Sequence, residues 1–410
     1  MSGKETTVII GGGIAGVHAA QTLRSEGCRG DIVLFDSDET PPYDRPPLSK
    51  EYMLGKVSDS EISIMSREMA EELNIQLKLG VRIDSIHAGQ KEVKADDGRT
   101  YNWDKLLLAT GSKLRKISIP GDHLDQVFYL KKLSDARKMK EKLPGIKSVV
   151  LIGAGFIGAE LASSFKSLGI HVTMIEKAGL PMARILGREI GRYFLQMHEA
   201  NGVNVITGDS VAAIIGKDTV EKVVTVHGQE IDCQAVVIGI GVEPNTEISH
   251  PELKVDRGYV VNEYGETSIP GIFAAGDCTV WPYKGNNIHV EHWDHAVYHA
   301  QAAAKNMIAE KTVPYHRVPY FWSDQYGQRF QYAGHTKEWE NTVLRGDMEE
   351  GKFTYFYLDK RNIVTAALMV NTPRDVLPVR KLIDREEAVD PALLADSSIA
   401  IKKAKVKSPV

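Results

Sequence analysis

Two glycine-rich runs in this sequence have the spacing that binds a dinucleotide. The first, Gly11-Gly12-Gly13-Ile14-Ala15-Gly16, follows an apolar run at 6–10 and precedes a helical pattern that ends near Arg24. In such a strand–glycine–helix unit the first glycine turns the chain, the second admits a pyrophosphate against the backbone, and the third lets the helix pack on the strand. Free N–H groups at the start of the helix then bind the phosphates.

An acidic residue ends this unit, and the whole pattern of strand, glycine turn, helix, strand and acid occurs a second time in the sequence. The next apolar run, 31–35, ends at Asp36, where a carboxylate can accept hydrogen bonds from a ribose diol. Later come a run at 148–152, then Gly153-Ala154-Gly155-Phe156-Ile157-Gly158, a helical pattern at 159–168, a strand pattern at 171–175 and Glu176. Two complete fingerprints predict two dinucleotides, as in flavin enzymes that hold FAD and a nicotinamide cofactor ring to ring. A degenerate duplicate domain is the alternative, but every glycine of the second fingerprint is present.

The acid of the second unit indicates which nicotinamide cofactor is used. Glu176 favours NADH over NADPH, because a carboxylate binds a 2′-hydroxyl and repels a 2′-phosphate. Lys177 follows directly and could weaken that preference. NADH is therefore the predicted cofactor.

The chain has 410 residues, a length that allows two to four domains. Other strands and helices must therefore hold the two fingerprints in place. Apolar runs at 106–108 and 236–238 end in small-residue turns, and a third at 272–275 ends in Gly276-Asp277. All three are typical of buried parallel strands, although a strand followed by a capped helix also fits the third. Runs at 342–345, 352–358 and 363–370 predict short strands near the C-terminus.

Composition excludes several classes of protein. Lys and Arg total 50 against 54 Asp and Glu, so net charge gives no reason to expect nucleic-acid binding. No run approaches the roughly 18 apolar residues of a membrane span, and the N-terminus lacks a signal-peptide pattern. Cys28, Cys233 and Cys278 are far apart in sequence, which favours a reducing cytoplasm over a disulfide scaffold. Residues 401–410 carry four lysines without periodicity and predict a solvated, flexible tail.

Three longer segments make the similarity to a known family specific. They are Pro41–Lys50 (PPYDRPPLSK), 289–296 (HVEHWDHA) and 321–325 (FWSDQ). With the two fingerprints and the turns Ala109-Thr110-Gly111, Gly239-Ile240-Gly241 and Gly276-Asp277, the chain resembles the FAD-dependent ferredoxin reductases from about residue 6 to 385. These are the putidaredoxin, rubredoxin and biphenyl-dioxygenase reductases, with apoptosis-inducing factor as their relative.

The resemblance implies an α/β fold with two Rossmann-like dinucleotide-binding domains arranged as in glutathione reductase, plus a C-terminal α+β domain. An FAD-binding domain (1–115 and 243–318) would be interrupted by an NADH-binding domain (116–242). A β-rich domain (319–400) and the tail (401–410) would follow.

The resemblance also implies roles for individual residues. Lys50 would lie near flavin N5, Glu160 near the nicotinamide and paired with Lys50, and Trp322 over the flavin edge from which electrons leave; these three are the predicted catalytic residues. A lysine near flavin N5 fits this chemistry, because a fixed positive charge stabilises the anionic reduced flavin. The alternative for Glu160 is an ordinary acid in the first turn of a helix, favoured by the helix dipole.

A larger set of residues is expected to bind the cofactors. Lys131 stands where the family often has arginine, and lysine cannot form the bidentate contact. Trp293 would begin a helix aimed at the flavin, and Val81 would contact the adenine side. The set is Gly11, Gly13, Ile14, Ala15, Gly16, Asp36, Arg45, Lys50, Val81, Ala109, Thr110, Gly111, Lys131, Gly153, Gly155, Phe156, Ile157, Gly158, Glu160, Glu176, Gly241, Gly276, Asp277 and Trp293.

Two features bear on metal and thiol chemistry. His289, His292, His295 and His299 have helix-like spacing that could bind zinc or iron. Their match to a flavin-facing helix explains them without a metal, and we expect none. Disulfide reductases of the superfamily carry a redox cysteine near the flavin, but the corresponding segment 41–50 contains no cysteine. Cys278 is expected to be a small buried residue. Electrons should therefore leave the flavin directly.

We predict an NADH-dependent FAD flavoprotein reductase that passes electrons to a small iron–sulfur protein of ferredoxin or rubredoxin type and so feeds an oxygenase or P450 system. It would be a monomer or homodimer without nucleic-acid or membrane partners. Ferredoxins are commonly acidic, so the docking surface should be basic, with Arg317, Arg329 and Arg345 as candidates.

Two other functions are also consistent with the sequence. One is a redox-controlled binding module resembling apoptosis-inducing factor, with a long-lived NADH–FAD charge-transfer complex; the segment HVEHWDHAV favours it. The other is a peroxide- or oxygen-reducing NADH oxidase, which the missing flavin-proximal cysteine disfavours.

Overall fold

The computed structural model describes residues 5–309 and 312–406, and the chain divides into two compact units. The first unit comprises 1–44, 58–113 and 242–319. The second comprises 45–57, 114–241 and 320–410. The first unit covers nearly the residues expected for the FAD-binding domain, but 45–57 group with the second unit. The second unit joins the residues expected for the NADH-binding and C-terminal domains.

The described residues form helices and strands throughout both units. The helices are α1 (Ile14–Ser25), α2 (Arg67–Glu72), α3 (Leu133–Lys142), α4 (Phe156–Ser167), α5 (Ala183–Ala200), α6 (Trp293–Ala309), α7 (Val376–Arg385) and α8 (Pro391–Ala395), with 3₁₀ turns at Pro46–Ser49, Pro373–Asp375 and Ile401–Lys403. The strands are β1 (Thr6–Ile10), β2 (Asp31–Asp36), β3 (Ile75–Leu79), β4 (Ile83–His87), β5 (Glu92–Ala95), β6 (Thr100–Asn102), β7 (Lys105–Leu108), β8 (Ser112–Leu114), β9 (Val127–Phe128), β10 (Ser148–Ile152), β11 (His171–Glu176), β12 (Asn204–Thr207), β13 (Val211–Ile215), β14 (Lys222–Thr225), β15 (Glu230–Asp232), β16 (Ala235–Ile238), β17 (Val242–Pro244), β18 (Val255–Asp256), β19 (Gly258–Val260), β20 (Ile272–Ala274), β21 (Thr279–Tyr283), β22 (Asn286–Ile288), β23 (Tyr320–Gln325), β24 (Gln328–Gly334), β25 (Asn341–Asp347), β26 (Lys352–Leu358) and β27 (Val364–Val370).

The first unit is built on a five-stranded parallel sheet in the order β20-β7-β1-β2-β3. Its strands are apolar nearly throughout, because helices or further strands cover both faces of the sheet. On one face α1 and α6 pack together through alanines that include Ala19, Ala20, Ala300 and Ala303. On the other face the core contains Trp103, Tyr259 and Trp281.

The second unit contains a parallel sheet and an antiparallel sheet. The parallel sheet has the order β12-β11-β10-β16-β9, and α4 follows β10 as α1 follows β1. The antiparallel sheet has the order β23-β24-β27-β26-β25. Helix α5 buries Leu186, Ile190 and Phe194 against Phe330 and Phe353 of that sheet, so one apolar core joins the two parts.

Three local expectations differ from the structure. Helix α4 begins at Phe156, inside the fingerprint, because extended Gly155 (φ −76°, ψ 176°) already ends the turn. Helix α6 begins at Trp293, so two of the four histidines precede it. The expected flexible tail includes a 3₁₀ turn with Ile401 and Ala404 buried, while 407–410 lie outside the described residues. No helix within 5–309 or 312–406 is long and apolar enough to cross a bilayer.

Candidate functional site

The first glycine fingerprint forms a turn that only glycine can occupy. Gly11 has φ +113°, and a Cβ there would overlap the carbonyl oxygen of Ala109. A Cβ at Gly16 would overlap the carbonyl oxygen of Gly11, so α1 could not pack on the turn. These two close approaches fit the roles of the first and third glycines of a dinucleotide fingerprint, which are the tight turn and the packing of helix on strand.

The second fingerprint repeats this geometry in the second unit. Gly153 has φ +99°, and its Cβ would meet the carbonyl oxygen of Gly239, while that of Gly158 would overlap the oxygen of Gly153. Gly155 is exposed, and no heavy atom lies within 4 Å of where its Cβ would be. The turn is therefore open on the side of Gly155, as close approach of a pyrophosphate to the backbone requires.

Both helices that follow these turns begin without a side-chain cap. Gly13 and Gly155 are the N-cap residues, and in this described part of the chain neither α1 nor α4 has an acid in its first turn. The first N–H groups of the helices therefore remain available to an anion. Glu160 is the fifth residue of α4, so the interpretation of it as a first-turn acid is wrong.

The acids at the strand ends order the turns beside them. Glu176 accepts hydrogen bonds from the N–H groups of Ala154 (2.8 Å) and Ala178 (2.8 Å). Asp36 accepts one from the N–H of Asp38 (3.0 Å). Each carboxylate is thus held at the carboxyl edge of its parallel sheet, which is where ligands of such sheets bind. Contact with a ribose stays a prediction.

Other predicted residues of the first unit meet at the same sheet edge. Thr110 Oγ1 donates to the carbonyl oxygen of Asn245 (2.6 Å), and the N–H of Val81 donates to the carbonyl oxygen of Asp36 (3.0 Å). Ser112 Oγ donates to Asp277 Oδ2 (3.1 Å). Sequence reasoning missed Ser112, although it directly follows the quoted Ala109-Thr110-Gly111 turn.

Trp293 begins α6, as the resemblance implied, and its ring is fixed by a hydrogen bond. Its Nε1 donates to Asp44 Oδ1 (2.8 Å), and Asp44 belongs to the segment PPYDRPPLSK. Within the first unit, the start of α6 is therefore joined to the part of the quoted segment that ends at Asp44. This contact places an indole at the N-terminus of a long helix.

A buried ion pair lies in the second unit. Lys50 Nζ is 3.6 Å from Glu160 Oε1, and both side chains are buried. The resemblance implied this pairing. Ser49 Oγ donates to Glu160 Oε2 (2.5 Å), and Ser323 Oγ donates to Glu160 Oε1 (2.7 Å). Sequence reasoning missed both serines, although each is adjacent to or within a quoted motif.

Burial and hydrogen bonding act in opposite directions on Glu160. Burial raises the pKa of its carboxyl group, because the low-dielectric surroundings disfavour the charged form. Lys50 and the two serine hydroxyls oppose this effect by stabilising the carboxylate. Burial prevails, and the pKa of Glu160 lies above its ordinary value. A buried acid with a raised pKa beside a cation is typical of a functional site.

One aromatic ring lies near this ion pair, and further rings pack on the elements that carry it. Lys50 Nζ lies 5.9 Å from the centre of the Trp322 ring, which stacks with Tyr320 at a centroid distance of 6.4 Å. Phe156 of the fingerprint packs edge-on against Phe321 at 4.7 Å. Strand β23 thus presents Phe321 and Trp322 beside α4 and the Lys50 segment. The Lys50 and Glu160 side chains themselves are 10% and 9% exposed, so little of the ion pair meets water.

Several predicted cofactor residues are not drawn into these clusters. Arg45 is exposed, and Lys131 lies between β9 and α3, where its N–H donates to Asp135 (3.0 Å). Gly241 adopts φ +94° where the chain passes from the second unit to the first. Their roles toward a cofactor stay predictions.

The three arginines considered for docking have partners. Arg317 forms a bidentate pair with Asp294 (2.8 and 3.1 Å) and stacks 3.5 Å from the centre of the Tyr298 ring. Arg345 donates to the carbonyl oxygens of Leu394, Asp396, Ser397 and Ile399 (2.6–3.3 Å). Arg345 therefore holds the segment after α8 in place, and a docking role for the three arginines stays a prediction.

Histidines of α6 and Cys278 are buried in the core of the first unit. His295 Nδ1 is 3.0 Å from the Tyr315 hydroxyl, and burial lowers the pKa of His299 to about 3. Across 5–309 and 312–406, no cluster of three or more His, Cys, Asp or Glu side chains could hold a metal ion. The Cys278 thiol donates to the carbonyl oxygens of Leu108 and Ala275, and burial raises its pKa to about 11. At neutral pH such a thiol is almost entirely protonated, whereas the thiolate is the form that acts as a nucleophile.

Two dinucleotide turns on parallel sheets, with a buried lysine–glutamate pair, define an oxidoreductase that uses a flavin and a nicotinamide. The chain belongs to the pyridine nucleotide-disulphide oxidoreductase family, whose profile matches residues 5–303. The profile named reductase C-terminal matches residues 320–405. The family implies FAD and NAD(H) as cofactors.

Individual relatives are similar over nearly the whole chain. Rhodocoxin reductase of Rhodococcus erythropolis is 35% identical over 97% of this chain and 93% of its own length. The ferredoxin–NAD(+) reductase component of the p-cumate 2,3-dioxygenase system of Pseudomonas putida is 34% identical over 96% and 97%. A solved covalent putidaredoxin reductase–putidaredoxin complex matches with a TM-score of 0.94 at 30% identity, covering 98% of each chain. The predicted family and fold class are confirmed.

Proposed function

We propose that this protein is an NADH-dependent FAD flavoprotein reductase that passes electrons to a small iron–sulfur protein of ferredoxin or rubredoxin type. The observation that carries the proposal is the pair of complete dinucleotide turns, one in each unit, with the ion pair of Lys50 and Glu160 beside Trp322. The relatives act in dioxygenase systems or with putidaredoxin, and we propose that this chain serves an oxygenase or P450 system in the same way.

The chain's own residues would bind and orient the two cofactors. The turn from Gly11 to Gly16 would hold the FAD pyrophosphate, and the turn from Gly153 to Gly158 that of NADH. Bound FAD would accept two electrons from NADH and release them one at a time. Lys50 would stabilise negative charge on the flavin, since a fixed cation there needs no rearrangement when the charge develops. Glu160 would hold Lys50, and the serine hydroxyls would hold Glu160.

NADH is proposed over NADPH because of how Glu176 is fixed. Its two oxygens are held by two backbone N–H groups, so the carboxylate cannot easily turn away from a 2′-substituent. A 2′-phosphate would bring like charges together there.

The three free cysteines agree with a reducing compartment, and we propose the cytoplasm. A monomer or homodimer is proposed.

Anaerobic reduction tests the proposed activity. Purified protein loaded with FAD is mixed with NADH, and the visible flavin absorbance is followed. We expect bleaching within the time of one turnover and rapid reoxidation when an acidic ferredoxin and cytochrome c are added. Absence of bleaching would contradict the reductase. Bleaching followed by persistence of the reduced complex in air, with no cytochrome c reduction, would instead support a redox-controlled binding module.

A further inference from the structure

Lys50 lies between two carboxylates with different access to water. Its Nζ is 3.6 Å from Glu160 Oε1 and also 3.6 Å from Asp324 Oδ2. The Lys50 and Glu160 side chains are 10% and 9% exposed, whereas that of Asp324 is 35% exposed. The ammonium group therefore has an inner, dry partner and an outer, hydrated one.

The outer carboxylate is itself shared with a second cation. Arg329 Nε is 4.0 Å from Asp324 Oδ1, and the two residues are directly paired across β23 and β24. The Arg329 side chain is 53% exposed. Charges thus alternate from the interior to the surface in the order Glu160, Lys50, Asp324, Arg329.

Neutral donors partly satisfy the inner carboxylate. Glu160 accepts from the hydroxyl groups of Ser49 and Ser323 and from the N–H of Asp324. Lys50 is therefore not the sole support of the Glu160 charge, and an ammonium group has three N–H donors to distribute. The position of Nζ consequently depends on the balance between its two carboxylate neighbours.

We propose that Asp324 is a positioning residue for Lys50, drawing the ammonium toward the surface, and that Arg329 sets the strength of that pull. The inference rests on the proposed function, because it takes Lys50 as the cation that stabilises reduced FAD. Neutralising Asp324 lets Lys50 act more strongly on the flavin and raises the flavin midpoint potential. Neutralising Arg329 strengthens the pull of Asp324 and lowers the potential.

The test measures the two-electron midpoint potential of bound FAD in D324N and R329Q by anaerobic equilibration with a reference dye. For D324N we expect the ratio of reduced to oxidised flavin at a given solution potential to rise about tenfold, which is about 30 mV for a two-electron couple. For R329Q we expect a smaller shift of opposite sign. E230Q is the matched control, because it breaks the exposed pair of Lys222 and Glu230 in the same unit and should not move the potential.

A double-mutant cycle separates positioning from a direct effect of charge. In a K50Q background the D324N shift should disappear if Asp324 acts through Lys50. A shift that persists in full overturns the inference, as does an unchanged potential in both single variants. R329Q is an exposed substitution and keeps the test valid if D324N does not fold. If NADH fails to bleach the unmodified protein, the proposed function fails; if bleaching is normal and the potentials do not move, only this inference fails.

Discussion

Ser323 donates a 2.7 Å hydrogen bond to Glu160, although the two residues are 163 positions apart in the chain. Ser323 lies in β23 of the antiparallel sheet, and Glu160 lies in α4, which follows the second glycine turn. Ser49 makes the matching bond to the other carboxylate oxygen from a third segment. The acid of the Lys50 pair is therefore held by parts of the chain that sequence does not place together.

Loss of the Ser323 hydroxyl should affect both stability and catalysis. In S323A the buried Glu160 loses one donor, which raises its pKa further and costs about 1–3 kcal/mol of unfolding free energy. We expect lower kcat/KM for NADH by about tenfold, measured with a one-electron acceptor. S58A is the matched control, because Ser58 donates to Glu61 (2.7 Å) at the surface. Equal effects of the two substitutions would contradict a special role for Ser323.

Alanine substitutions in the two glycine turns should impair the binding of different cofactors. In G16A the new Cβ overlaps the carbonyl oxygen of Gly11, so the purified protein should lack most of its FAD, seen as loss of visible absorbance. In G158A the overlap is with the carbonyl oxygen of Gly153, so FAD should be retained while the KM for NADH rises tenfold or more. G89A is the control, because no atom lies within 4 Å of a Cβ there. Loss of FAD from G158A alone would reverse the assignment of the turns.

Removing the charge of Glu176 should weaken the discrimination between nicotinamide cofactors. In E176Q the repulsion of a 2′-phosphate is gone, so the ratio of kcat/KM for NADH to that for NADPH should fall about tenfold. Steady-state rates with both cofactors measure the ratio, with E199Q on α5 as the control. An unchanged ratio would show that another residue recognises the ribose.

Acid should destabilise the second unit through His198. This histidine in α5 is fully buried, its Nδ1 is 2.9 Å from the Tyr326 hydroxyl, and burial lowers its pKa to about 4. Because the unfolded chain has a histidine pKa near 6.5, the unfolded state binds the proton first as pH falls. The contribution of His198 to the free energy of unfolding is therefore complete above pH 6.5. It falls by about 3 kcal/mol as the pH is lowered from 6.5 to 4.

Chemical unfolding at pH 7, 5.5 and 4.5 measures this loss. H198Q should be less stable at pH 7 but should show a shallower decline on acidification. H171Q is the control, because His171 is exposed in β11. A decline of unchanged steepness in H198Q would assign the pH dependence to other groups.

Sequence alone determined the two dinucleotide folds and their order. The glycine positions, the apolar strands and the terminal acids lie within about 30 residues of one another, and these patterns follow from local backbone and phosphate geometry. The family resemblance likewise implied the pairing of Lys50 with Glu160, which the structure contains, whereas the catalytic roles of Lys50, Glu160 and Trp322 stay predictions. Helix α4 begins earlier than the helical pattern at 159–168 predicts, because the glycine turn ends within the fingerprint itself.

Tertiary structure alone decided which neighbours complete the site. Glu160 meets Ser49 and Lys50 from one distant segment and Ser323 and Asp324 from another, and no local pattern marks a serine that must satisfy a distant buried carboxylate. The same holds for Arg345, whose charge suggested a docking surface but whose guanidinium holds four carbonyl groups of its own unit. Hydrogen-bond partners of buried groups are set by packing, which long-range contacts establish only in the folded chain.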